Sequence, residues 1–544
     1  MAIHKVVIEN FKIFKHKTIL DLSSGMNIIV GNNEVGKSTL LEAMHLALTG
    51  YYSGRSISQE LSQYLFNSET IREYLESIRL GTPTEPPRIS IEIFFDGSID
   101  PLFEGDNNSD GASAEGFIFS IAYSEKYDLE YQSIIKSKKL NSLPIEYYEA
   151  TWMSFGRKSI TPRSIPIKSA MIDSVGYKAG NGSDAYISRI VRNLLSEDEI
   201  VSVAQAHRNM REQFQQEQAI VDINTRIQSE TDDVKGKVSL SVDIGTKNAW
   251  ETSLVTELND IPLAYAGKGQ QCIIKTELAL SNKTAQRAEI ILIEEPESHL
   301  SFSKLNQLLA FIESKYSEKQ IVVSTHSSFV ANKLGLDKII LLDNNSIIRM
   351  DEFTSATFFS KVAGYDTLRL LLCKKAILVE GASDELVVQR AYMDAHEGKL
   401  PIQDGIDVIS VGLAFLRFLE IAKKLNKSVC VVTDNDGDIN AIQEKYKDYL
   451  GDNAVENIKI FYDDEIDGPD QINGATYNAN TLEPKILKAN DLSTINRVLG
   501  KNYDNEDDLR IYMKNNKTDC ALRIFETIER INYPEYIRKA IESE

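Results

Sequence analysis

The hydrophobic pattern of the chain reads as short buried strands alternating with amphipathic helices, and it does so twice. The chain opens on IHKVVIENFKIF, a β-branched run of strand character. Residues 26–30 are a short apolar run and read as a buried strand, and residues 39–48 continue with apolar positions at helical spacing. Residues 88–95 (RISIEIFF) alternate as a strand expected in an antiparallel sheet, whereas residues 104–116, rich in Gly, Asp, Asn and Ser, read as an exposed loop. Residues 194–230 hold few breakers and spaced apolar positions, which predicts a long helix or a helix pair. Its many Gln and Arg residues suggest either an arm that leaves the core and meets a second copy or a helical lid packed on its own head. Apolar runs at 290–293 and 320–324 then read as parallel-type strands. The pattern restarts with strands at 375–379 and 428–432 and a helix at 414–425, after a connector at 358–367.

Composition narrows the class. A chain of 544 residues exceeds one hydrophobic core, so two or three domains are expected. With 42% hydrophobic and 26% charged residues it has the make-up of an ordinary soluble protein. There is no run of 18 apolar residues and no signal-peptide stretch, so no membrane and a cytoplasmic location are expected. Cys272, Cys373, Cys430 and Cys520 stand far apart without a CxxC pattern, which disfavours a disulfide framework or a zinc site. The net charge of −20 disfavours indiscriminate nucleic-acid binding. Residues 151–171 nevertheless contain no acid, while Arg157, Lys158, Arg163 and Lys168 are present. That stretch is either a phosphate-contact surface or a set of solvated loop charges.

Gly31-Asn32-Asn33-Glu34-Val35-Gly36-Lys37-Ser38 is GxxxxGKS between a strand and a helix, the context of a phosphate-binding loop. Asn32, Asn33, Gly36, Lys37, Ser38 and Thr39 are expected to bind ATP. Backbone N–H groups and the helix N-terminus would face the phosphates, Lys37 would reach the β/γ-phosphates, and Ser38 would take a position on Mg²⁺. The carboxylates that complete such a site stand in EIILIEEPESHL: Glu294 for Mg²⁺, and Glu295 to polarise the attacking water. His326, at the end of the next strand, is placed to sense the γ-phosphate.

These residues resemble the ABC-type ATPases of the structural-maintenance and RecF group. NFKIF is similar to that group's NF-R-F segment, with Lys12 where arginine is usual, and EEPESHL is similar to a Walker B segment with its D-loop. The resemblance implies that two heads pair around ATP, each capping the other's nucleotide with a signature loop. Gly267, Lys268 and Gly269 fill that position, with Lys268 where serine is usual; a lysine could meet the γ-phosphate as a point charge.

The second half carries Glu380-Gly381 after one strand, then Asp384 and Glu385, then Asp434-Asn435-Asp436 after another. An extended backbone at Asp434 and Asp436 would project both carboxylates the same way. Several carboxylates at neighbouring strand ends call for a divalent cation, and all-oxygen ligation favours Mg²⁺ or Mn²⁺.

This set resembles the Toprim fold of topoisomerases, bacterial primases, recombination mediators and OLD (overcoming lysogenization defect) nucleases. An ABC-type head directly ahead of a Toprim domain resembles the OLD family. The implied fold is α/β: an ABC-type ATPase head with a mixed α/β sheet and a helical insertion, then a Rossmann-like Toprim domain with a small C-terminal helical part. The expected bounds are 1–360, with dimerisation helices inserted at about 150–250, and 370–544. Asn480-Thr481-Leu482-Glu483 is similar to the family's late acidic motif, Asn516-Lys517-Thr518 to its lysine motif, and Tyr533-Pro534-Glu535-Tyr536-Ile537 to its closing helix.

The resemblance implies two-metal phosphodiester hydrolysis. Glu380, Asp434 and Asp436 would hold one metal, Asp384, Asp438 and Glu483 the other, and Lys517 would neutralise growing charge. Implied partners are DNA, a second copy or higher homo-oligomer, and in some members a helicase or a retron reverse transcriptase with its RNA/DNA. The implied role is bacterial defence against phages. Because both sites share one chain with little linker between them, ATP binding is expected to restrain or license the nuclease through the connector. Two other readings stay open: a RecF-like DNA clamp or mediator that does not cut, and a nucleotide-gated switch that binds a protein.

Overall fold

The computed structural model describes residues 1–97, 100–137, 140–173, 195–230, 238, 240, 257–281, 286–327, 330, 334, 338–343, 346–350, 366–468, 470–472 and 475–543. Most of the connector expected at 358–367 lies outside them. The chain forms two compact units, Met1–Val330 with Lys338–Ile347, and Ala331–Asp337 with Ile348–Glu544.

The first unit holds two sheets. In the antiparallel one, Ala2–Glu9 lies between Thr18–Asp21 and Ile89–Asp96, and Ala114–Tyr123 continues the sheet to Tyr148–Ser154. Ile89–Asp96 does not alternate in burial as its sequence suggests, because five consecutive residues from Ile91 are buried. The loop expected at 104–116 is shorter than that: Glu104–Gly105 pairs with the start of Ala114–Tyr123.

The second sheet runs Ser169–Asp173, Ile290–Glu294, Gln320–Thr325, Met26–Val30, Ile339–Asp343, Ser346–Arg349. Its first five strands are parallel neighbours. They are near-continuous apolar runs because a parallel sheet is covered on both faces. Tyr148–Ser154 and Ser169–Asp173 fall inside the stretch expected as an insertion, yet each completes a sheet of the head. What leaves those sheets is a pair of helices, Glu197–Gln216 and Gln218–Glu230, in which no side chain is buried. Ser196 starts the first helix: its hydroxyl accepts from Glu199 N–H, and the Glu199 carboxylate accepts from Ser196 N–H.

The second unit is built on a parallel sheet ordered Ile406–Ser410, Lys375–Val379, Ser428–Val432, Ile458–Phe461. Phe415–Lys424 is the helix expected between the acid-bearing strands. The C-terminal helices are no appendage. Ile486, Ile495, Leu509, Cys520, Ile524 and Ile537 share one buried core with Ile377, Val379 and Val388. No helix of the described residues is long and apolar enough to cross a membrane.

Candidate functional sites

In the first unit the sheet register gathers the nucleotide-site residues at one edge. Thr325 pairs with Val30, the last residue before the phosphate loop, and Glu294 pairs with Ser324. Gly36 has φ 102°, and a Cβ there would come within 2.8 Å of both Ile13 and Phe14. The NFKIF segment is therefore packed against the turn into helix Lys37–Thr49, and only glycine fits. The Lys37 side chain is 6% exposed, and its Nζ donates to the carbonyls of Gly31 at 2.8 Å and Asn32 at 2.7 Å. Burial lowers its pKa, while Glu295, Glu297 and Glu294 act in the opposite sense.

Glu295 has φ 40° and lies beyond the strand end, its carboxylate 3.5 Å from His326 Nδ1. The expected base and the expected sensor therefore meet directly. Ser38 and Thr39 occupy the first turn of the helix Lys37–Thr49, and Asn32 and Asn33 are exposed on the loop. Gly267 and Lys268 are exposed, with Lys268 opening helix Lys268–Ser281. Gly269 is confined: a Cβ would stand 2.7 Å from the carbonyl oxygen of His299.

Of the four basic residues proposed to meet phosphate, Arg157 is ion-paired with Asp106. Lys168 Nζ donates to the carbonyls of Arg163 at 3.0 Å and Ile165 at 2.6 Å. Lys158 and Arg163 have exposed side chains.

In the second unit the strands ending before Glu380 and Asp434 are parallel neighbours, Leu378 opposite Val431, so both carboxylates rise from one sheet edge. Asp384 lies in the first turn of helix Ala382–Ala395 and accepts from Gly381 N–H at 3.0 Å. Burial pushes its pKa up to about 6, with the charges of Glu483 and Glu380 adding to the rise. Asp434 is raised well above the usual carboxylate range, by burial first and then by the nearby Asp384, Glu483 and Asp436 charges. Each of its oxygens has a donor: Leu482 N–H at 3.1 Å and the Tyr536 hydroxyl at 3.4 Å. Glu483 is 5% exposed at the start of helix Leu482–Ala489. Lys517 Nζ lies 3.4 Å from its carboxylate.

Two expectations change. The backbone at the second aspartate is not extended: Asp436 has φ 48° and Gly437 φ 83°, so the chain turns sharply and leaves Asp436 exposed while Asp434 is largely enclosed. Asp436 instead accepts from Asn478 Nδ2 at 3.1 Å. Asp438 is the N-cap of helix Ile439–Lys445 and accepts from Ala441 N–H at 3.0 Å, a local role that explains its presence without a metal.

The sequence reading also passed over residues that hold this centre together. Asn435, 2% exposed between the two aspartates, donates to the carbonyls of Asp463 at 2.7 Å and Glu465 at 2.9 Å. The buried Lys485 pairs with Asp463 and Asp467, both at 2.7 Å. A lysine on the apolar face of a helix was the available signal.

The donor set suits a hard cation, since it offers only carboxylate oxygens, and burial together with mutual repulsion raises the pKa of Asp384 and Asp434. Among the described residues, however, no three acids stand close enough to form a metal-holding group together.

Residues 5–369 match the AAA domain family AAA_23, and residues 371–436 match the family described as overcoming lysogenization defect protein-like, TOPRIM domain. An ATPase and a Toprim domain imply use of a nucleotide and of a divalent metal in general. Among solved structures, the SMC head domain from Thermotoga maritima aligns at 12% identity and TM-score 0.31, over 64% of this chain and 99% of that one. The SmcHead bound to the C-winged helix domain of ScpA aligns at 14% identity and TM-score 0.33, over 65% and 99%. No curated protein matches the chain.

Proposed function

Since the chain belongs to the OLD family, an ATPase domain followed by an OLD-like Toprim domain, we propose that it is an ATP-regulated, divalent-metal-dependent DNA endonuclease acting in bacterial defence against phage. The observation that carries this is Asp434: an enclosed carboxylate beside Asp384 and Glu483, gripped on both oxygens, with its pKa raised by burial and then by the neighbouring charges. An acid kept in so unfavourable a place is a functional-site signature.

Glu380, Asp384, Asp434, Asp436 and Glu483 are the residues that would hold Mg²⁺ or Mn²⁺. When bound, such a cation supplies an acidified water and charge stabilisation for an in-line displacement at phosphorus. Leu482 N–H and the Tyr536 hydroxyl orient the Asp434 carboxylate. Lys517 sits beside Glu483 with its side chain half exposed, where it meets charge developing on phosphate oxygens.

In the head, Lys37, Ser38 and Glu294 take the nucleotide and its Mg²⁺, while Glu295 and His326 act at the γ-phosphate. Gly267 to Gly269 would cap the nucleotide of a second copy. A second reading, the RecF-like clamp that binds without cutting, draws on the absence of a closed metal-holding group among the described residues. Supercoiled plasmid incubated with the protein separates the two. Nicking in Mg²⁺ or Mn²⁺ that stops in EDTA supports the nuclease; DNA binding without cleavage under every ATP and metal condition supports the clamp.

A further inference from the structure

The turn beyond Glu295 carries a carboxylate that the nucleotide site, as described, leaves without a role. Glu297 Oε1 accepts from the Thr325 hydroxyl at 2.5 Å and from His326 N–H at 3.2 Å. The same oxygen is 3.5 Å from His326 Nδ1, as is Glu295 Oε1. The Thr325 hydroxyl in turn accepts from Ser327 N–H at 2.9 Å, so one network spans the turn and the end of strand Gln320–Thr325. That strand end is the one that pairs with Val30, next to the phosphate loop.

The Glu297 side chain is 10% exposed, and its buried Oε2 has no hydrogen-bond partner among the described residues. A buried acceptor left unpaired has lost its hydration without replacement, a cost that grows if it is charged. A threonine bonding its own turn would cap the strand without that cost. The acid therefore has a use beyond capping.

We propose that Glu297 is a positioning residue for ATP hydrolysis. It fixes the His326 ring with Nδ1 between two carboxylates, which leaves Nε2 as the nitrogen that can face the γ-phosphate. The bonds its carboxylate accepts from His326 N–H and from the Thr325 hydroxyl set where that ring begins. This inference rests on the ATPase reading of the head and is independent of whether the Toprim centre cuts DNA.

The test is steady-state ATP hydrolysis by the full-length chain with Glu297→Gln, His326→Ala and the double variant, beside binding of a fluorescent ATP analogue. Glutamine retains an oxygen for Thr325 and for His326 N–H, which protects the fold. The expected result is a fall in kcat of about tenfold or more with analogue affinity within about twofold. In the His326→Ala background the same substitution is expected to change kcat by less than about twofold, since no ring is left to orient. A Glu297→Gln kcat within about twofold of wild type overturns the proposal, and so do losses that multiply in the double variant. A wild-type chain that binds the analogue but hydrolyses no ATP would sink the ATPase reading itself, an outcome visible in the unmutated control.

Discussion

Lys517 Nζ stands 3.4 Å from Glu483 Oε2, a half-exposed ammonium facing a carboxylate that is 6% exposed. So exposed a lysine adds little stability through one ion pair, about 0–1 kcal/mol. Its use is therefore expected at the substrate. Lys517→Ala should slow plasmid cleavage by about 100-fold with the melting temperature little changed, and Lys517→Arg should recover part of the rate. Initial nicking rates at saturating metal check this. Equal rates in wild type and Lys517→Ala would remove the residue from the mechanism.

The Asp384 carboxyl, pushed up to about 6, makes a claim about the metal-free protein. Its pKa is higher folded than unfolded, so the proton stabilises the folded state. That contribution is complete below about pH 4 and is lost as pH rises through about 6, and it amounts to about 3 kcal/mol. Urea unfolding in EDTA should show wild type losing stability relative to Asp384→Asn over this range. Parallel curves for the two proteins would contradict the assignment.

Asp438 and Asp384 should separate cleanly. Removing the Asp438 cap is expected to cost about 1 kcal/mol while cleavage persists, whereas Asp384→Ala should abolish cleavage. Thermal melts and plasmid assays on both variants decide it, and loss of cleavage in Asp438→Ala would return that residue to the metal set.

In the loop proposed to cap a second copy's nucleotide, two glycines differ. A methyl at Gly267 meets nothing within 4 Å, but one at Gly269 would be 2.7 Å from the His299 carbonyl. Gly269→Ala should displace the helix from the turn that follows Glu295 and lower ATP hydrolysis by about tenfold or more. Gly267→Ala should leave the monomer's melting temperature unchanged. Differential scanning fluorimetry with an ATPase assay reports both.

The sequence made the strand ends legible because parallel strands are covered on both faces and show as unbroken apolar runs. Val30, Val379 and Val432 stand where that pattern puts them, and the strands ending at Glu294 and Thr325 run one residue past it. Glycine-bounded phosphate loops and acids just past a strand end are local features, and they too could be read. Asp436 was misread because whether a backbone turns after an aspartate depends on what the next loop bonds to. Here Gly437 N–H bonds back to Asn435, and Asn435 reaches across to Asp463 and Glu465. Glu297 and Tyr536 passed unassigned for the same reason: their partners, Thr325 with His326 and Asp434, are distant in sequence and near only in the fold. Ser169–Asp173 was hidden by its place inside a long divergent stretch, since nothing in five residues tells a sheet edge from an inserted strand.

In the proposed nuclease the carboxylates around Asp434 make the cut and the head only regulates it. Asp434→Asn keeps the shape of the side chain and removes one acceptor and the charge. With supercoiled plasmid, Mn²⁺ and the full-length protein, the variant should leave the plasmid intact while hydrolysing ATP at the wild-type rate. Nicking by Asp434→Asn at the wild-type rate would place the chemistry elsewhere and contradict the account.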